Sequence, residues 1–161
     1  MAGEIDAIIP RSLTNSLKET FSIQASTPIE ITKLSVVEPH TLKDVDLIAA
    51  IGLTSSAFTG TLALCFPGKP FLAVISRMLG EEYPEITIEN SDAIGELLNI
   101  IYGSARVKMN LGGHDFSPAI PTVIRGSNIQ ISHGSSAKII RVECKCEFGN
   151  FYLEVSLRKM G

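Results

Sequence analysis

Asp92-Ala93-Ile94-Gly95-Glu96-Leu97-Leu98-Asn99 is the stretch on which the reading of this chain turns. It reads as helix, and it sets a carboxylate and a carboxamide three residues apart. A helix advances about 100° per residue, so Glu96 and Asn99 share one side, a turn apart. Asp92, Gly103, Arg106 and Asn110 project within roughly 80° of that side. Ile94, Leu97, Leu98, Ile101, Ala105 and Met109 point the other way. Such a helix buries its oily back and presents a narrow polar front to solvent or to a partner.

The helix has readable ends. Asn90 or Ser91 is the expected N-cap, Asp92 suits the positive N-terminal end, and Gly112-Gly113 stops the helix after about Asn110. Upstream, residues 4–21 place Ile5, Ile8, Ile9, Leu13, Leu17 and Phe21 on one side, with Pro10 expected to kink or restart the helix. Residues 29–37, 45–53 and 59–66 read as strands. Gly68-Lys69-Pro70 opens a short helix that Gly80 closes. Residues 81–90 read as acidic and irregular. The last third offers strands at 119–125, 128–132, 138–147 and 151–158, with turns at Gly126-Ser127 and Gly149-Asn150. The cleanest strand is 140–148. Ile140, Val142, Cys144, Cys146 and Phe148 alternate there with Arg141, Glu143, Lys145 and Glu147, one side dry and one wet.

A helix followed by several strands occurs twice, at 4–66 and 91–158. Each half contains a similar phrase, Phe58-Thr59-Gly60-Thr61-Leu62-Ala63-Leu64 and Phe148-Gly149-Asn150-Phe151-Tyr152-Leu153. The echo implies an α/β (α+β) domain with pseudo-two-fold symmetry, a largely antiparallel sheet carrying two long helices on one face. Only the second half has the Glu-x-x-Asn pair.

Composition narrows the function classes. With 161 residues, 45% hydrophobic and 19% charged, the chain has the size and make-up of one packed domain, residues 1–161. A net charge of −3 does not supply the basic face of a nucleic-acid binder. Leu47 to Gly68 is uncharged, but its Thr54-Ser55-Ser56 and Thr59-Gly60-Thr61 are strand and turn chemistry, not a membrane span. The start, Met-Ala-Gly-Glu-Ile-Asp, lacks the features of a secretory signal. Three cysteines without Cys-x-x-Cys spacing read as small apolar fillers in a reduced, cytoplasmic protein, and no zinc site is expected. His40, His114 and His133 lack partner spacing and read as ordinary. Nothing suggests a Ser, Cys or His nucleophile or a glycine-rich nucleotide loop.

On Asp92-x-x-x-Glu96-x-x-Asn99, followed about twenty residues later by Pro121, the chain resembles the CheC/CheX/FliY phosphatases of bacterial chemotaxis. The single copy of the signature and the strand-rich tail are most similar to the CheX branch. The resemblance implies a CheC-like fold and hydrolysis of the aspartyl phosphate of a CheY-like receiver. It implies that Glu96 pairs with a receiver lysine and that Asn99 enters the receiver's site to orient the attacking water. It also implies that the chain needs no cofactor of its own, because the receiver supplies Mg²⁺, and that CheX-type chains form homodimers through β-structure.

The residue types suit that chemistry. An acyl phosphate has a good leaving group, so the main task left is holding a water in line. A carboxamide offers a donor and an acceptor without repelling the phosphoryl group. Around this pair, Asp92, Gly95, Gly103, Arg106 and Pro121 are the expected partner-contacting positions. Each has a plainer reading. Asp92 answers the helix dipole, Pro121 shapes entry to a strand and Arg106 is a surface charge. Gly95 or Gly103 either bares backbone to a partner or lets a strand pack tightly, and Gly103 is also a candidate helix end. Two rival functions stand beside the enzyme: a module that binds receivers without hydrolysis, and a dimerisation domain with a solvated helix front.

Overall fold

The structure, a computed structural model, describes residues 6–134 and 138–160. Its elements in chain order are α1 (Ile8–Ala25), β1 (Glu30–Val37), β2 (Leu47–Thr54), β3 (Phe58–Phe66), α2 (Gly68–Leu79), α3 (Ile88–Leu111), β4 (Thr122–Arg125), β5 (Lys138–Cys146) and β6 (Gly149–Lys159). The six strands form one sheet in the order β1-β5-β6-β3-β2-β4, every neighbouring pair antiparallel. Exchanging β1 with β4, β2 with β5 and β3 with β6 reverses that order and leaves it unchanged. The expected two-fold relation is therefore present in the topology. The two echoing phrases fall on the exchanged strands β3 and β6, one residue out of step, since Phe58 opens β3 and Phe148 lies in the turn just before Gly149 opens β6.

Helix α1 buries Ile9, Leu13, Leu17 and Phe21. It starts at Ile8, so Pro10 sits in the first turn, where a missing N–H costs no intrahelical bond, and the helix runs on without a break. Glu4 and Ile5 lie outside the described residues. Helix α2 ends on Gly80 at φ 74°, the left-handed cap expected there. All three helices share one core with the same face of the sheet, including Leu47, Ala49, Ile51, Leu62, Leu64, Val142, Leu153 and Val155. Beneath α1, Phe151 stacks on Phe66 at 4.4 Å and on Phe21 at 4.8 Å.

The opposite face is closed differently. Residues 128–132, expected as a strand, instead form an irregular cover. Ile129 donates its N–H to the Val45 carbonyl at 2.7 Å, and Gln130 caps the carbonyls of His40 and Leu42. Leu42, Val45, Ile48, Ala63 and Cys65 pack under this cover with Ile129 and Ile131. The expected turns are also shifted. Gly126 donates to the Asp46 carbonyl and closes no hairpin, and the β5–β6 hairpin turns at Glu147-Phe148, with Gly149 at φ 134° opening β6. Cys65, Cys144 and Cys146 are free and buried, and burial pushes the thiol pKa of Cys65 and of Cys144 upward.

On that second face Glu154 is almost completely buried, held by His133 Nε2 at 3.0 Å and Arg141 Nε at 2.8 Å. Arg141 also reaches Thr41 Oγ1 at 2.9 Å. Burial pushes the Glu154 carboxyl up, but the bonds from His133 and Arg141 outweigh it and hold the carboxyl below its ordinary 4.5. A carboxyl whose pKa is depressed by folding stabilises the fold above its unfolded pKa, and that stabilisation disappears as pH falls through the folded value. Glu154→Gln is expected to cost about 3 kcal/mol at pH 7, because the largely buried Arg141 guanidinium loses its counter-charge and the His133 ring loses its carboxylate partner. Urea unfolding from pH 7 to 3 checks this: the wild-type chain loses the Glu154 contribution below pH 4.5, and the variant has none to lose.

Candidate functional site on helix α3

Helix α3 is capped three residues before Asn90, the earlier of the two caps expected from sequence. Thr87 is the N-cap: its Oγ1 accepts from Asn90 N–H at 3.1 Å, and Asn90 Oδ1 accepts from Thr87 N–H at 2.8 Å. Asn90 is thus the far half of a capping box, with the shorter Asn where Glu or Gln is usual. Its Nδ2 also ties the Glu85 carbonyl at 2.7 Å. This cap fixes the start of the helix. From there Ile94, Leu97, Leu98, Ile101, Ala105 and Met109 all go inward, each at most 1% exposed. The opposite side carries Asp92, Glu96, Asn99 and Gly103, all exposed.

Asp92, Gly95, Glu96 and Asn99 line one side of an open hollow of about 260 Å³, and Pro121 and Val123 line the other. Five of the seven expected site residues therefore meet. Pro121 enters β4, an edge strand, where its missing N–H breaks no ladder bond. A Cβ on Gly95 would lie 3.2 Å from Val123 Cγ2 and 3.8 Å from Pro121 Cβ. Gly95 is buried, and it admits β4 against the helix rather than baring backbone to a partner. Gly103 behaves in the opposite way. It lies mid-helix, it does not end α3, and a Cβ there would meet nothing within 4 Å.

Arg106 and Asn110 lie further along the polar side, yet both turn to the loop behind the helix. Arg106 Nε donates to the Phe116 carbonyl at 2.9 Å. Asn110 brackets the same residue, Nδ2 to its carbonyl at 3.1 Å and Oδ1 from its N–H at 2.8 Å. Tyr102, its phenol pKa raised by burial, donates to the Ser117 carbonyl at 2.6 Å. These bonds hold the loop that delivers Pro121 to the hollow. Arg106 thus anchors that loop through its Nε while its side chain stays partly exposed. Among the described residues no three His, Cys, Asp or Glu side chains gather as a metal site.

The model of the family described as "Chemotaxis phosphatase CheX" matches residues 47–145. The chain belongs to the CheX family. The CheY-P phosphatase CheX of Thermotoga maritima is 33% identical over 134 residues, 79% of this chain and 81% of that one. A CheC-like superfamily protein from a Shewanella species shares the fold at TM-score 0.90 and 25% identity, covering 96% of this chain and 99% of its own. The CheX of a CheX–CheY–BeF3–Mg²⁺ complex from Borrelia burgdorferi matches at TM-score 0.74 over 96% of this chain and 99% of that chain. At 19% identity that last likeness is one of fold. This CheX-family chain is accordingly a chemotaxis phosphatase with an α+β, CheC-like fold.

The two glycines of α3 should separate by mutation. Gly103→Ala is expected to stabilise the chain by up to about 1 kcal/mol, since alanine favours helix and the site is empty. Gly95→Val should destabilise it by about 1–3 kcal/mol by forcing β4 outward. Urea midpoints of the two variants give both values.

Proposed function

We infer that Glu96 and Asn99 are the working residues of this phosphatase, acting on the aspartyl phosphate of a CheY-like receiver. The observation that carries the reading is their placement. Both side chains are exposed, one turn apart, on a helix whose back is locked into the core. They stand at an open hollow rather than inside a cavity, so they suit reaching into another molecule's site.

In this reading the chain supplies no nucleophile and forms no covalent intermediate. Asn99 enters the receiver's pocket, its carboxamide accepting from the attacking water and holding it in line behind phosphorus. Glu96 pairs with a receiver lysine and fixes the register of docking, a contribution of about 1–3 kcal/mol when water is shut out. The receiver carries the Mg²⁺ that offsets phosphoryl charge. Gly103, without a side chain, lets the receiver approach the helix backbone. Asp92 and Pro121 edge the same contact.

The test is loss of phosphate from a CheY receiver phosphorylated by a small phosphodonor with Mg²⁺ present. Asn99→Ala should lower turnover by at least ~100-fold, and Glu96→Ala should weaken both capture and turnover. If Asn99→Ala releases phosphate at the wild-type rate, the assignment fails. Complex formation without faster hydrolysis would instead indicate a docking module.

The same reading extends to assembly and place. The chain acts in the cytoplasm as a homodimer, in keeping with three reduced cysteines and an edge strand, β1, that exposes Leu34 and Val36. Among the described residues no helix is long and apolar enough to cross a membrane. Light scattering should give twice the chain mass. Val36→Lys is expected to shift that mass toward one chain if β1 forms the contact.

A further inference from the structure

The second face of the sheet, away from the helices, holds a hollow of about 240 Å³. Thr59 and Thr61 of β3, Ser156 and Arg158 of β6, and His133, just past the irregular cover, line it. The strand register builds this wall. Thr59 lies opposite Arg158 and Thr61 opposite Ser156, so four polar side chains emerge on one face of two paired strands. Two of the lining residues are wholly buried in their side chains, Ser156 and His133. Each carries a polar atom with no hydrogen-bond partner among the described residues, Ser156 Oγ and His133 Nδ1. Buried polar atoms are ordinarily satisfied by protein, water or a ligand. No carboxylate lines the hollow, and among the described residues Arg158 enters no ion pair. Glu154, two residues back along β6, is already held by His133 Nε2 and Arg141.

We propose that this hollow is a binding site for hydrogen phosphate. The exposed Arg158 supplies positive charge and N–H donors, and the hydroxyls of Thr59, Thr61 and Ser156 donate to phosphate oxygens. His133 contributes the opposite polarity. Its Nε2 faces the Glu154 carboxylate, which only accepts, so in the neutral ring Nε2 carries the proton and Nδ1 offers a lone pair. Hydrogen phosphate has an O–H to give to that lone pair and further oxygens for the donors around it. Sulfate, similar in size and charge but without a proton at neutral pH, leaves Nδ1 unpaired. Acetate lacks both the proton and the tetrahedral spread of oxygens. A site with a buried acceptor among donors therefore takes phosphate in preference to either. It stands on the sheet face opposite α3 and does not depend on the roles of Glu96 and Asn99.

Titration calorimetry of the full chain with sodium phosphate tests this, at pH 7.5 and with ionic strength held constant by sodium chloride. One phosphate per chain should bind with a Kd of about 1 mM or below, and sulfate and acetate at least ~10-fold more weakly. Arg158→Gln, at an exposed position that leaves the core untouched, should weaken phosphate binding about 10-fold or more, since a charge-assisted contact is lost. Ser156→Ala should weaken it several-fold. Arg125→Gln removes an exposed cation of β4 that lies outside the lining, and should bind phosphate like the wild type. No saturable binding up to about 20 mM phosphate overturns the proposal and leaves the hollow to water. Sulfate bound as tightly as phosphate overturns the part given to His133 and with it the assignment to phosphate. Full binding by Arg158→Gln, or equal weakening by Arg158→Gln and Arg125→Gln, also overturns the site, the second outcome marking attraction by overall charge.

Discussion

The pairing of β3 with β6 is the contact on which everything else depends. The sheet divides into β1-β5-β6 and β3-β2-β4, each drawing strands from both halves of the chain, and the ladder from Phe58–Lys159 to Cys65–Tyr152 joins these two parts into one sheet. The two backbones approach so closely that a Cβ on Gly60 would fall 1.8 Å from the Ser156 carbonyl oxygen. Phe66 and Phe151, one from each strand, stack directly on the helix side of that seam, with Phe21 of α1 against them. Without the seam neither part could cover its own apolar face, and α3 would have no continuous floor.

On that floor the functional helix is rigid along its back and bare along its front. Its polar side chains are not gathered into a cavity, and this is consistent with a catalyst that completes another protein's site. The groups flanking them are divided by task. Gly95, Pro121 and Val123 bring an edge strand up to the helix. Arg106, Asn110 and Tyr102 tie down the loop that leads there. Glu96 and Asn99 are left for the encounter.

Long periodic signals were legible in the sequence because burial alone decides them. The inward row from Ile94 to Met109 and the alternation of Ile140, Val142, Cys144 and Cys146 both hold in the structure. Local chemistry was less legible. Asn90 was expected as a cap in its own right, but a capping box divides the task between two residues, and Thr87 lay in a stretch read as irregular. Ile129 and Ile131 alternate like a strand, yet they pack on the sheet's second face without joining its ladder. His133 and Arg106 were read as ordinary or exposed because their partners, Glu154 and the Phe116 carbonyl, could be found only from the fold. For Gly95 the sequence allowed both meanings of a helical glycine, and only the distance to Val123 chooses between them.

The three cysteines give this chain a built-in reporter. All are sunk in the two apolar layers, and burial keeps the Cys65 and Cys144 thiols protonated, so a maleimide finds no ready thiolate at either. Cys65 lies under the irregular cover, whereas Cys144 and Cys146 lie under the helices. The rate at which each becomes labelled therefore times the opening of one layer separately from the other, with no engineered probe.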